Sequence, residues 1–226
     1  MKCRGKETRE RIVAEYDVTP TLHMALLNGQ TKYSDAEAEL EKEYYIFTAV
    51  RKSDGKKETI QCGMGAARHF LELLNHPSIP LFNPLYEVTN NNDTIERKQN
   101  DSYQGGSKVS WNPVAKQLYN AVMLLFTFWS VKPDTVLFEV GEKVMRYKNY
   151  EPYDSQIKKV NTAIRNGCKG KKTLRDLINE HKENNIFKEE MSDFSLLEKR
   201  IEKINEQIKE EDKEKAEKRP LIISFF

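Results

Sequence analysis

The sequence predicts an α+β fold, with β-hairpins plus a central buried helix and a helical C-terminal portion. Three observations predict it. Extended segments separated by turn signals precede residue 64, the stretch from Val114 to Ser130 is apolar on nearly every side, and apolar residues recur at intervals of three and four from Phe194 onward. With 226 residues and 38% apolar side chains, the chain can bury one substantial core.

Tyr44 to Lys52 is rich in β-formers, Ser53-Asp54-Gly55-Lys56 is a turn signal, and Lys57 to Cys62 resumes an extended pattern. Together they predict a hairpin. The acidic alternation before it (Asp35, Glu37, Glu39, Glu41, Glu43) reads as a solvated helix start, with a decoy surface for a basic partner as the other reading. After Gly63-Met64-Gly65, residues Ala66 to Leu74 carry apolar side chains at helical spacing and stop at Asn75-His76-Pro77. From Asn90 to Lys108 the chain is polar, with three consecutive Asn and the pair Gly105-Gly106, and predicts a mobile loop. Asn112-Pro113 is an N-cap and first-turn pair for the central helix. Thr135 to Val140 and Lys143 to Lys148 read as two further strands joined by Gly141-Glu142, a Gly-first pair suited to a type II′ turn.

Beyond this point the sequence predicts helices. Ile157, Val160, Ala163 and Ile164 share one face of a helix over 154–166, and Thr173 is the expected N-cap of a helix through about Lys182. Phe194, Leu197, Ile201, Ile204 and Ile208 form an a/d stripe about two heptads long, too short for a free-standing coiled coil and suited to packing on its own domain. Residues 209–219 are almost wholly charged, as in solvated helix or disorder. The apolar tail 221–226 is expected to add a strand to a sheet or to dock on a partner. The expected organisation is an α+β core domain over 1–188 and a C-terminal segment over 189–226, comprising the amphipathic helix, the charged stretch and the tail.

Several function classes are excluded at this level. The longest apolar run, Ala121 to Trp129 broken by Thr127, is about half of the roughly 20 residues that a membrane-spanning helix needs. The N-terminus has basic residues without an apolar stretch behind them, so no secretory signal is read and a cytoplasmic location is expected. Cys3, Cys62 and Cys168 are odd in number and never in a C-x-x-C pair, which predicts reduced thiols rather than a disulfide framework or a zinc ribbon. No motif identifies a cofactor.

The formal net charge is only +2, but its distribution is uneven. Residues 143–175 hold ten basic and two acidic side chains. The basic ones are Lys143, Arg146, Lys148, Lys158, Lys159, Arg165, Lys169, Lys171, Lys172 and Arg175, with Tyr147, Tyr150 and Tyr153 interleaved. Cations neutralise phosphates and aromatic rings stack on bases, so this segment predicts nucleic-acid binding, to DNA or RNA, with nuclease activity as an extension. Gly167 to Thr173, a glycine-bearing loop ahead of a helix N-terminus, is a candidate phosphate cradle, although it lacks the Walker A spacing. The competing class is a protein-interaction module, an inhibitor or assembly factor, acting through the heptad helix and apolar tail of 194–226.

Catalytic constellations are sparse. Pro133-Asp134 followed by Glu139 on an expected strand partly matches a metal-dependent nuclease, but the Glu-x-Lys that such a site needs is missing. The four histidines, His23, His69, His76 and His181, are too dispersed to predict a metal site. Cys62 ahead of a helix suggests an activated thiol with His69 or His76 as base, against the plainer reading of a small buried side chain. Arg175-Asp176 followed five residues later by His181 resembles the R-[polar]-x4-H pattern of the HEPN ribonuclease families. The resemblance covers seven residues. It implies Arg175 and His181 working on an RNA 2′-hydroxyl and phosphate with Asp176 positioning them, on an all-helical domain where this sequence predicts two hairpins.

Overall fold

A computed structural model describes residues 1–86, 110–130, 133–213, 215 and 218–226. The loop expected near 90–108 lies outside the described residues, as does part of the charged stretch after residue 213. The fold is α+β, and the chain divides into two compact units, Met1–Leu85 with Ser130–Thr135 and Tyr86–Trp129 with Val136–Phe226.

The first unit carries the sheet. Helix α1 (Lys6–Glu15) leads directly into β1 (Tyr16–Ala25), and the short pair β2 (Lys32–Tyr33) and β3 (Glu39–Leu40) precedes β4 (Glu43–Arg51), β5 (Lys57–Gly63) and α2 (Met64–Leu73). The main sheet is antiparallel in the order β1-β4-β5, so the predicted hairpin of β4 and β5 is present and β4 is its central strand. Tyr45, Phe47 and Ala49 point to one face and pack with Ile60, Cys62, Ile12 of α1, and Ala67 and Phe70 of α2. On the opposite face Tyr44 and Ile46 are buried as well, which is why β4 reads as an almost continuous apolar run. Pro20 sits at a register irregularity of β1, an edge strand where a missing N–H is tolerated.

The acidic alternation is not a helix. Glu39 lies on β3, and Asp35 ties the β2–β3 turn to the sheet, its Oδ2 accepting from Gln61 N at 2.7 Å and its N–H donating to Gln61 O at 2.7 Å. A period-two run of acids suits a short solvated hairpin as well as a helix end, and the turn at Ser34 to Ala38 settles it.

The second unit is all helical among the described residues: α3 (Pro113–Phe128), α4 (Val136–Arg146), α5 (Asp154–Gly167), α6 (Leu174–Glu180), a 3-10 turn over Glu189–Met191, and α7 (Ser195–Glu211). Helix α3 is the predicted central helix, capped by Asn112, whose Oδ1 accepts from Val114 N and Ala115 N, and it is buried along nearly its whole length. Each of the other helices packs on it. Gln117 on α3 accepts from Leu196 N at 3.0 Å and Leu197 N at 3.4 Å, supplying the N-terminal cap that Phe194 cannot give to α7. The a/d stripe of α7 is spent inside this unit, with Leu197, Ile201 and Ile204 buried.

Residues 135–148 correct the expected second hairpin: they contain α4. Valines and Phe138 raise the strand propensity, but Phe138, Val140, Gly141 and Val144 fall on one helical face and are buried. Gly141 is a contact residue, not a turn. A Cβ there would lie 3.1 Å from Val122 on α3, so its absence lets the two helices approach.

Of the two expectations for the apolar tail, the added strand is corrected. The tail adds to no sheet and folds back on its own unit, with Leu221 and Ile223 exposed. Asn161 on α5 brackets it, donating to Ile223 O at 2.8 Å and accepting from Phe225 N at 2.7 Å, while Asn205 on α7 makes the matching pair with Ile222. Phe225 O accepts from Leu174 N at 2.8 Å, and Phe226 is buried beside Phe194. Two asparagine amides thus satisfy backbone groups that a neighbouring strand would otherwise serve.

Candidate nucleic-acid interface

The sequence-predicted cations all lie in the second unit, and the structure separates nine of them into two kinds, with Lys148 set apart against Trp111. Arg175 is held by Glu198 of α7 through Nη1–Oε1 and an Nη2–Oε2 bond of 3.1 Å, which raises the guanidinium pKa further, and its Cζ lies 5.8 Å from the centroid of the Phe194 ring. Lys172 bonds Glu180 at 2.5 Å. These two are tied to the unit's own carboxylates, and Arg175 serves packing.

The other kind is free of carboxylates. Among the described residues no acid lies within ion-pair distance of Lys143, Arg146, Lys158, Lys159, Arg165, Lys169 or Lys171. Lys143 and Arg146 are exposed on α4 opposite its buried face. Lys158 and Arg165, seven residues apart, share one flank of α5, and Lys159 points away from Ile157, Val160 and Ile164. Lys169 and Lys171 continue from the end of α5 into the exposed loop. Between the helices Tyr147, Tyr150 and Tyr153 are 57%, 65% and 78% exposed.

The segment's two acids offset these charges only in small part. Asp154 accepts from Arg200 Nε at 2.5 Å, and Glu151 lies 3.7 Å from Arg200 Nη1. A single cation from α7 therefore holds both carboxylates and offsets one of their two charges.

Sequence reasoning missed Trp111 and Lys116. Asn112 N–H donates to Lys148 O at 2.8 Å, which sets the start of α3 beside the end of α4. Lys116 Nζ lies 5.1 Å and Lys148 Nζ 5.9 Å from the Trp111 ring, and Tyr119 stands 5.0 Å from it. Lys148 belongs to this aromatic cluster. The only signal for it in the sequence was the Trp-Asn-Pro string, which marks a cap and does not reveal a neighbour 37 positions on.

The proposed phosphate cradle is corrected. Three N–H groups at the helix start are already used: Thr173 N donates to Asp176 Oδ2 at 2.7 Å, Asp176 N to Thr173 Oγ1 at 3.2 Å, and Leu174 N to Phe225 O. Asp176, held below the usual carboxylate range by Thr173, adds a negative charge at the mouth. Gly167 has a packing reason, since a Cβ there would lie 2.5 Å from the Trp129 ring.

The catalytic candidates are also occupied. His181 bonds Leu177 O through Nδ1 at 2.8 Å and stacks on Phe128. With Arg175 on Glu198 and Asp176 capping α6, the three residues of the HEPN-like pattern each serve the fold, although the unit around them is all helical among the described residues. Glu139 lies in the first turn of α4, not on a strand, and Asp134 pairs with Lys57 at 3.0 Å. Cys62 is fully buried against Cys3, and that thiol contact together with desolvation pushes its pKa up, the reverse of an activated nucleophile. His69 Nδ1 accepts from Arg9 Nε at 3.0 Å, and His76 Nδ1 bonds Pro77 O at 2.6 Å. His23 stacks on Tyr45. Among the described residues no group of His, Cys, Asp or Glu could hold a metal ion, and no helix is long and apolar enough to cross a membrane.

A family model matches residues 1–210. No curated protein and no solved structure matches the chain.

Proposed function

The chain belongs to the family described as Uncharacterised conserved protein UCP028583, and from the charge and aromatic geometry of its helical unit we propose that it binds nucleic acid. One observation carries this reading: seven cations of the 143–175 segment stand without a carboxylate partner, while the segment's own acids are both engaged by Arg200. Unpaired surface cations are the groups that release counterions when they meet phosphates. The competing protein-interaction reading keeps the smaller surface: Leu197, Ile201 and Ile204 of α7 and Phe226 are buried within the unit, and only Leu221 and Ile223 of the tail remain exposed. Two free thiols side by side in the core, Cys3 and Cys62, fit a reducing compartment, and we take the location to be cytoplasmic.

The test is a fluorescence-anisotropy titration of the full chain with labelled DNA and RNA at two salt concentrations. Lys143→Glu/Arg146→Glu and Lys169→Glu/Lys171→Glu are each expected to weaken binding by about tenfold or more at low salt and to flatten the salt dependence. Lys172→Glu should have a smaller effect, because Glu180 already holds that lysine. Affinity that is indifferent to salt and to both double substitutions would overturn the proposal. Gels of the same samples with magnesium report whether cleavage accompanies binding.

A further inference from the structure

Resting on the nucleic-acid reading, we infer that the ligand is single-stranded: its unpaired bases stack on Tyr147, Tyr150 and Tyr153 while its phosphates follow the cations on either side. Single exposed tyrosines are ordinary, but three within seven residues, all more than half exposed, are not. The connection that carries them is irregular but fixed. Tyr147 N donates to Lys143 O at 3.0 Å, Tyr150 N to Tyr147 O at 2.9 Å, and Tyr153 N to Gln156 Oε1 at 2.8 Å. The rings are therefore presented from a pinned backbone, and little ordering is needed on binding.

Cations flank the rings along the chain. Lys143 and Arg146 precede the tyrosines, Lys158 and Lys159 follow them, and Arg200 pairs with the two intervening carboxylates and offsets one of their two charges. A duplex would use only the cations, because its base faces are stacked against each other and closed to the rings. An unpaired strand uses both, since every base then has a free face.

The experiment compares a labelled oligonucleotide of about 20 nucleotides, single-stranded and as its duplex, at one low salt concentration with the full chain. Wild-type protein is expected to bind the single strand about tenfold tighter than the duplex. The triple variant Tyr147→Ala/Tyr150→Ala/Tyr153→Ala should lose that preference and keep the salt-dependent duplex affinity, and Tyr→Phe at the same three positions should retain it. Because the rings are exposed, the variants keep the fold, and Tyr153→Ala alone gives a partial loss as a second measure. Equal or tighter duplex binding, or a single-strand affinity unmoved by the triple Ala variant, overturns this inference and leaves the nucleic-acid reading standing. Absence of salt-dependent binding to either form overturns both.

Discussion

Arg200 Nε donates to Asp154 Oδ1 at 2.5 Å, and the same guanidinium lies 3.7 Å from Glu151, so one side chain of α7 pairs with both acids of the basic segment and halves their charge. Its role is electrostatic with respect to the interface, and it need not touch the ligand. Arg200→Ala is expected to expose two negative charges beside Tyr150 and Tyr153 and to weaken nucleic-acid binding about threefold to tenfold at low salt, with the difference shrinking as salt is raised. Adding Glu151→Gln and Asp154→Asn to Arg200→Ala should restore most of the affinity. If the triple variant binds as weakly as Arg200→Ala, Arg200 acts by packing and not by charge.

The tail makes a second prediction. Asn161 is 3% exposed and serves two backbone groups of the tail, so Asn161→Ala leaves Ile223 O and Phe225 N without those partners. A cost of about 1–3 kcal/mol is expected. Phe226→Ala removes a 2% exposed ring packed near Phe194 and should cost about 3–5 kcal/mol. Urea unfolding followed by circular dichroism measures both. A tail that is only loosely associated would show no change in either midpoint.

Much of the fold was legible because local signals and tertiary packing agree. The hairpin of β4 and β5 has its turn residues, α3 has Asn112-Pro113, and α7 has an uninterrupted stripe whose buried residues match its period. Where they disagreed, packing won. The valines of α4 argued for strands until Gly141 met Val122, and α1 and β1 went unrecognised because α1 has almost no apolar face and buries only Ile12. The excess of cations at the candidate interface was legible as well. What could not be read was their pairing: nothing local to Arg175 announces Glu198, and nothing local to Thr173 announces that Phe225 will occupy the adjacent N–H. Such pairings depend on residues brought together from 23 and 51 positions away, and sequence spacing carries no record of them.

Gly167 gives a sharper steric test. A methyl group there would sit 2.5 Å from Cη2 and 2.8 Å from Cζ2 of Trp129, inside any tolerated contact. Gly167→Ala is expected to destabilise by about 1–3 kcal/mol, although alanine is the better helix former by about 1 kcal/mol. Trp129→Leu costs stability by itself, but combined with Gly167→Ala the loss should be less than the sum, because the clash has gone. Strict additivity in a double-mutant cycle would show that the ring is not what excludes the methyl.

Lys32 predicts an alkaline rise in stability. Its Nζ donates to the Tyr44 hydroxyl at 2.8 Å and lies 4.9 Å from the centroid of that ring, on the face of β4 that the β2–β3 pair covers. Burial pushes the ammonium down to about 8 from an ordinary 10.5. Below about pH 8 both the folded and the unfolded chain hold the proton, so the penalty for burying the charge is constant. Between about 8 and about 10.5 the unfolded chain holds more protons, and stability rises with pH. Tyr44 is pushed upward by burial and works in the opposite direction, but only above its unfolded value near pH 10. At 1.36 kcal/mol per unit the Lys32 contribution is at most about 3 kcal/mol, and less because the side chain is partly exposed to solvent. Urea midpoints of wild type and Lys32→Met, compared from about pH 7 to about pH 10, should therefore converge: the variant is more stable at the lower end, and the wild type catches up as Lys32 loses its proton. Parallel pH profiles for the two proteins would show that the Lys32 proton is not released within that window.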